Sequence, residues 1–451
     1  MVGQDNSISL VNRDKSLVLL NGREVKNQNE LATINSSRVA RVEIIENPGA
    51  QYEADGHAVI NIITRKSGIR GVNSALYADF KQSKYGSGSF IPEVSYVWKG
   101  LSLYANIGMD ILNSGSTDLT TMKYSLPSYY FVSHSDTYHS KVKTKDLSYN
   151  VDASYNINTR NIIGFYVNGY DQKVDHNVGN VLMITRNDTP SPALLSTQVI
   201  KDKPSQISGG LNYKYEKESG AVIKSMIDYA RENGTTNTSI VETNDQTEAA
   251  YPMRSYSKIT NDIFSSKLDF SLPADKLKGT FDFGAKYSYC YIKNINDFRR
   301  WNTSGSWTVD NALSNVLHFR EQILAEYLTF SRQWKHFCYT VGLRVESSFT
   351  NNKSDVNDNY LKGTRLFPNI TFNYKSKTAD YELNYNKRIS RPDYSSLNAS
   401  VLYHDSLSTS QGNPELKATI YNTIAFSLLY KNKIKFGVSY VFIESPQDWL
   451  N

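Results

Sequence analysis

The sequence predicts an all-β protein: an antiparallel transmembrane β-barrel preceded by a small α+β module. Three observations predict it. From Gly71 onward apolar and polar residues alternate with period two, segment after segment. The connections between these segments are short at one end and long at the other. Tyrosine is abundant, with 32 residues, and 18 Phe and 5 Trp bring the aromatic share to 12%. Tyrosine combines strand propensity with an apolar body and a wet tip, which a membrane interface requires.

Length and composition narrow the choice. The 451 residues are too many for one ordinary core unless the fold grows by adding strands, as a barrel does. No apolar run exceeds about four residues, where a membrane helix needs roughly twenty. The N-terminal MVGQDNSISLVNRDKS lacks the basic-then-apolar plan of a signal peptide, so either the protein is cytosolic or its signal lies upstream. Lys and Arg number 50 against 44 Asp and Glu, a formal +6, and the basic residues are scattered. Without a basic face or tract no nucleic-acid partner is expected. Cys290 and Cys338 stand far apart, which excludes a disulfide scaffold and a thiolate zinc site.

Residues 1–68 read as the small module. Ser16 to Asn21-Gly22 is a strand running into a turn, and Asn29–Ser36 has the signals of a short capped helix. Arg41–Ile45 and Val59–Thr64 are two further strands, the second with Asn61 inside an apolar run. The transition to the barrel falls near Gly68.

In Leu101–Asp110 one face carries Leu101, Leu103, Ala105, Ile107 and Met109, the other Ser102, Tyr104, Asn106, Gly108 and Asp110. Leu147–Ile157, Phe281–Tyr291, Phe337–Glu346, Tyr381–Arg388, Ile424–Tyr430 and Ile434–Phe442 repeat the pattern. We count about fifteen such segments of roughly ten residues or more, long enough for a tilted strand to cross a bilayer. Short links near Lys99-Gly100, Asn158–Arg160, Lys217–Gly220, Pro273–Lys278, Gln333–His336, Lys375–Thr378 and Lys431-Asn432 alternate with long loops. The expected loops are Asn113–Val142, Lys173–Lys203, Asn233–Tyr256, Ile295–Asn315, Ser354–Thr364 and Arg391–Ala418. Short turns at one end and long loops at the other are the habit of outer-membrane barrels. The polar faces carry Asp152, Asp228, Asp269, Lys286, Arg344, Glu346 and Arg388, charges of both signs that suit a wet lumen better than a packed core.

One stretch carries a resemblance. RVARVEIIENPGAQYEADGHAVINIITRKSG resembles the end of the plug domain of TonB-dependent outer-membrane receptors, with Arg41, Glu43, Pro48, Ala50, Tyr52, Gly56 and Asn61–Thr64 matching in order. NKRISRPDYSSL followed by GNPELK resembles a barrel segment of one branch of that family. It places Arg391, Pro392, Tyr394, Gly412, Asn413 and Pro414 beside the strand motif containing Arg344 and Glu346. His57-Ala58 depart from the family's usual small residues. The resemblance implies residues 1–68 as the C-terminal part of a plug and residues 69–451 as an outer-membrane β-barrel truncated before closure. The signal peptide, the TonB box and the first part of the plug are expected elsewhere. An odd strand count implies an open sheet edge, and an isolated product that aggregates.

The function so implied is a receptor in the bacterial outer membrane that imports a scarce solute through a plugged barrel. Its expected partners are outer-membrane lipid, an unknown small solute and a TonB energy-coupling complex; a surface lipoprotein is a further candidate. Arg41 and Glu43 are candidates for locking the plug onto lumen charges such as Glu346 or Arg344. The alternatives are a non-transporting surface barrel, adhesin or scaffold, and a non-functional truncated remnant; a plug favours transport because a scaffold needs no movable lid. The sequence holds no G-x-S-x-G, H-E-x-x-H or P-loop, so no enzyme is expected. His134, Asp136 and His139, and His404 with Asp405, have metal-ligand chemistry, but polar loops produce such coincidences, and neither metal nor cofactor is expected. Tyr129–Phe131 and Trp301 to Trp307 are aromatic candidates for ligand stacking or loop packing. The ligand-binding residues stay unknown.

Overall fold

In the computed structural model the described residues are 16–25, 39–45, 48–55, 58–64, 70–126, 129–245, 250–354, 358–393, 396–397, 401–405, 408–413, 415–431 and 433–444. The helix expected at Asn29–Ser36 lies outside them.

Four strands form an N-terminal sheet: β1 (Ser16–Leu20), β2 (Arg23–Glu24), β3 (Val39–Ile45) and β4 (Ala58–Thr64), in the order β2-β1-β4-β3. β1 and β4 run parallel, and the outer pairings are antiparallel. Asn21 and Gly22 turn β1 into β2 with φ of 53° and 85°. Two positive values in a two-residue hairpin loop favour Asn-Gly. The odd asparagine within β4 now has a reason, since Asn61 Oδ1 accepts the Gly22 N–H at 2.9 Å and holds that turn. Central β4 is the most buried strand, with Ala58, Val59 and Ile60 at most 3% exposed.

The second sheet begins with β5 (Gly71–Gln82), β6 (Gly86–Trp98), β7 (Leu101–Leu126), β8 (Tyr129–Asn156) and β9 (Asn161–Arg186). It continues through β10 (Thr189–Pro190), β11 (Leu194–Asp202), β12 (Ser205–Glu216), β13 (Val222–Asn244), β14 (Ala250–Ala274) and β15 (Gly279–Trp301). Then come β16 (Trp307–Val309), β17 (Asn315–Trp334), β18 (Phe337–Ser354), β19 (Asp358–Lys375) and β20 (Ala379–Ser390). After a separate hairpin, β21 (Val401–Asp405) and β22 (Ser408–Gln411), the wall ends with β23 (Thr419–Tyr430) and β24 (Ile434–Glu444).

β11 and β12 each pair with β9 on one side and β13 on the other, so they are one wall strand interrupted at Lys203-Pro204. With the short β10 and β16 set aside, the wall has fifteen antiparallel strands among the described residues. Strand order comes round to bring β24 beside β5, which the expected truncation before closure did not anticipate. The hydrogen bonding does not follow. Every other neighbouring pair of wall strands shares a residue-by-residue register, but among the described residues none joins β24 to β5. Ile434 through Ile443 are exposed on both faces of β24. Val72, Leu76 and Phe80 on β5 are 61 to 72% exposed. Tilt and twist curl a sheet of this size until its ends face each other, while closure also needs a matching stagger.

Side chains alternate as the sequence requires. Leu103, Ile107, Met109, Leu147, Val151 and Tyr155 point outward, whereas Asn106, Asn150 and Asp228 are buried inside. At the turn end an aromatic belt crosses the outer face of five strands. Phe270 stacks on Phe283 at 5.1 Å, Phe281 meets Phe330 at 4.8 Å, and Phe330–Tyr339 and Tyr339–Phe372 continue it at 6.1 and 6.4 Å. Such girdles mark the interface of a membrane barrel. No helix among the described residues is long and apolar enough to cross a membrane.

The short turns fall where expected, but the long loops are largely strand. The segment expected as a loop from Asn113 to Val142 is paired up to Leu126–Tyr129, and β9, β13 and β15 extend in the same way. These hairpins project beyond the apolar band and are wetted on both sides. Their sequences are rich in Thr, Ser, Tyr and Val, so they hold strand geometry without the apolar alternation that announces it.

The seam gives the first prediction. In hydrogen exchange of the membrane-inserted protein, the outward-paired amides of β24 and β5 should exchange orders of magnitude faster than those of β14 and β15. Equal protection would mean that the seam is laddered.

Candidate functional site

The segment Pro48–Asp55, between β3 and β4, lies against the inner wall. Ala54 sits in an apolar cluster with Phe367, Ile389 and Ile420, and its carbonyl accepts the Ile389 N–H at 3.1 Å. A Cβ on Gly342 of β18 would stand 3.1 Å from the Ala50 Cβ, so glycine permits the close approach.

Around this apolar contact runs a network of charges. Glu53 accepts a bond from Arg344 Nη2 at 3.1 Å and from Lys286 Nζ. Arg344 Nε donates to Glu346 Oε1 at 2.7 Å, and Arg391 Nη2 donates to Glu346 Oε2 at 2.6 Å. Arg388 holds the backbone, donating to the Glu53 carbonyl at 3.2 Å and to that of Pro48. Asn369 Nδ2 is 3.5 Å from the same Pro48 oxygen. Arg344 and Glu346 are each 2% exposed. An isolated charge so buried is prohibitively costly, so each member depends on its partners. The strands supply the placement: inward positions two residues apart on β18 put Arg344 beside Glu346, with Lys286 on β15 and Arg388 on β20 facing the same loop.

Arg41 and Glu43, the sequence's candidates for this contact, do not reach it. Arg41 Nε donates to Glu43 Oε1 and Asn61 Nδ2 to Glu43 Oε2, both at 2.8 Å, on an exposed edge of the N-terminal sheet. These bonds, Arg41's first, hold the Glu43 carboxyl below its ordinary pKa. The carboxylate is therefore favoured in the folded sheet. Its stabilising effect is present above the unfolded carboxyl pKa and fades as pH falls through the folded value. The structure brings Arg344, Glu346 and Arg391 together, Pro48 is held beside them by Arg388, and Tyr52 closes the same turn through its N–H to the Gly49 carbonyl at 3.1 Å. Pro392 follows Arg391; Gly412 and Asn413 lie between β22 and β23, where the Asn413 N–H reaches the Ser396 carbonyl at 2.7 Å. Gly56, Tyr394 and Pro414 lie outside the described residues. Sequence reasoning missed Glu53 because it sits in an irregular turn, where strand parity says nothing.

At the mouth, β21–β22 folds against the inner wall. Tyr403 donates to Glu242 Oε1 at 2.7 Å and packs on Phe298 at 5.4 Å, with the Arg300 guanidinium 5.3 and 5.5 Å from the two rings. Arg300 also pairs with Asp310 at 2.7 Å. Trp301 and Trp307 meet edge-on at 5.3 Å, with Arg254 over Trp307 at 4.3 Å. His134 bonds Thr121 at 3.0 Å, and among the described residues no three His, Cys, Asp or Glu groups are placed to hold a metal ion. The side chains of Tyr129–Phe131, His139, His404 and Asp405 lie outside the described set.

Residues 213–448, just over half of the chain, match the model of the outer membrane protein beta-barrel family. The chain belongs to that family. This family member is accordingly a β-barrel of the bacterial outer membrane. Solved structures of similar fold include the siderophore receptor PiuA of Acinetobacter baumannii, at 8% identity, TM-score 0.54, with 96% of this chain and 72% of that one aligned. The copper transporter OprC aligns at 10% identity and TM-score 0.59 over 95% of this chain and 63% of its own. The ferripyoverdine receptor of the outer membrane of Pseudomonas aeruginosa aligns at 12% and 0.59, over 94% and 56%. Identities this low speak for the fold alone, and the barrel-family chain spans less than two thirds of two of these three. No curated protein matches it.

Two substitutions separate the buried network from the exposed pair. Arg344→Met should destabilise the folded barrel by about 3–5 kcal/mol, because Glu53 and Glu346 lose their shared partner. Arg41→Ala should cost less than about 1 kcal/mol. Urea unfolding monitored by tyrosine and tryptophan emission compares them.

Proposed function

We propose that this chain is part of a TonB-dependent outer-membrane receptor that imports a scarce solute, with the N-terminal sheet as the C-terminal part of its plug. The observation that carries the reading is the docking of Pro48–Asp55 on the inner wall through Glu53, Lys286, Arg344 and Arg388. A structural wall has no need of a separate sheet held in its bore by polar contacts. Such contacts suit a lid, because water can replace them at modest net cost once the lid moves, whereas a fused apolar core would resist. A wall of this circumference also leaves more lumen than its own side chains fill.

On this reading the solute lands at the mouth, among the hairpins and the Tyr403–Phe298–Arg300 cluster, and release of the Glu53 network opens the path. The solved structures of like fold include a siderophore receptor, a ferripyoverdine receptor and a copper transporter, which supports a small solute in that class. Pulling force from a TonB complex, and capping by a surface lipoprotein, enter as partners by resemblance.

A disulfide tests the lid. Ala50→Cys with Gly342→Cys places two Cβ atoms close to bonding separation. In planar bilayers under mild urea in KCl, the oxidised double variant should stay at its closed conductance and open on reduction. Conductance that opens equally in both states would show that Pro48–Asp55 does not gate the lumen.

A further inference from the structure

The outer face of the barrel carries a feature that neither the lumen nor the apolar band explains. On β8, Lys143 and Lys145 continue the outward face of Leu147, Val151 and Tyr155, just beyond the apolar band toward the long hairpins. On β9, Lys173 continues the face of Ile163 and Phe165. On the interrupted strand formed by β11 and β12, Lys201 and Lys203 continue the face of Ile207 and Leu211.

Their register matters more than their number. Lys145 lies directly opposite Lys173. Lys203 is the next residue after the pair Asp202–Val174, which aligns it with Lys173 from the other side. Three lysine positions thus stand in one row across three strands, at the spacing of adjacent strands, where like charges oppose folding.

The neighbours do little to relieve them. Among the described residues no ion pair joins Lys143, Lys145, Lys173, Lys201 or Lys203 to a carboxylate. The same face of these strands holds Asp171, and Asp175 stands between Lys143 and Lys201. Five lysines therefore face two aspartates. The adjoining strands contribute no charge to the row: Ile111 and Asn113 oppose Lys145 and Lys143, and Thr235 bonds the Lys203 backbone. Lys141, next above, is turned over the Tyr85 ring at 4.8 Å.

We propose that the row Lys145–Lys173–Lys203, with Lys143 and Lys201 above it, binds the headgroup of a lipid carrying two or more phosphates in the leaflet on the hairpin side. Three observations converge. The row adjoins the apolar band, so acyl chains seated on Leu147, Val167 and Ile207 bring a headgroup to its height. The lysines' long stems let each ammonium move along the wall to meet phosphate oxygens. A polyanion removes the mutual repulsion that the chain alone leaves standing, and attraction of basic groups to an anionic membrane surface supplies the affinity. The inference does not depend on transport, only on the barrel's place in the outer membrane.

The test uses the full chain in nanodiscs of phosphatidylcholine, with or without a low fraction of lipid A, whose headgroup carries two phosphates. The readout is the temperature at which the barrel loses its folded mobility on a cold gel. Lipid A should raise this midpoint by several degrees for the native chain and not for Lys145→Gln/Lys173→Gln/Lys203→Gln. Co-purified lipid A should fall about tenfold in that variant. In phosphatidylcholine alone the variant should melt at or above the native temperature, because the repulsion is gone. The turn-side control Lys99→Gln/Lys335→Gln/Lys431→Gln should keep the full gain. Should the triple variant not fold, Lys173→Gln alone, flanked by like charges on both sides, should lose part of the gain. Equal stabilisation of native and row variants would overturn the proposal. So would stabilisation of the native chain by inorganic pyrophosphate in plain phosphatidylcholine, which would mean a free-phosphate site rather than a lipid site.

Discussion

Hydrocarbon offers a peptide group nothing to bond to, and the organisation of this molecule follows from that constraint. Every N–H and C=O of a spanning segment needs a partner within the protein, so each strand must have a neighbour on both sides. Antiparallel pairing from β5 to β24 provides it, and each tight turn hands one strand to the next. Even the proline at position 204 is accommodated, since its carbonyl still accepts the Gln172 N–H at 2.9 Å while Lys203 bonds Thr235 on the other flank. The two outermost strands are where the constraint is unmet, and there the exposure of apolar side chains is greatest.

The same constraint inverts the distribution of polarity. Once lipid covers the outside, the interior is the only place for charge, and the interior charges organise the N-terminal sheet. Glu53 contacts Arg344 and Lys286 directly and reaches Arg391 through Glu346. This chain of alternating signs keeps three basic and two acidic groups tolerable in a space where none could stand alone. The apolar contact of Ala54 with Phe367, Ile389 and Ile420 fixes the position of the segment, and the charges fix its orientation.

Much of this was legible in the sequence because a β-wall between lipid and water writes its faces in alternate residues. The period-two segments placed the strands, the turn chemistry placed their ends, and the count of about fifteen matches the wall. Two things were hidden. The hairpins above the membrane are polar on both faces, so Asn113–Val142 read as loop although it is paired almost to its tip. The docking acid was hidden for a different reason. Arg41 and Glu43 alternate correctly on a strand and so attracted the role, yet they satisfy each other, while Glu53 acts from a turn whose conformation no periodicity encodes.

On the proposed receptor reading, the extended hairpins change the thermodynamics of capture. A receptor whose mouth is built of loose loops must order them around each arriving molecule, and that loss of conformational freedom is subtracted from affinity. Here the walls of the mouth are already ladders: β7 and β8 stay paired through Leu126 and Tyr129, and β13 and β14 through Thr243 and Ala250. A molecule entering meets surfaces whose backbone entropy was spent during folding. Specificity can then change by exchanging side chains on a fixed lattice, one position at a time, without rebuilding the path of the chain.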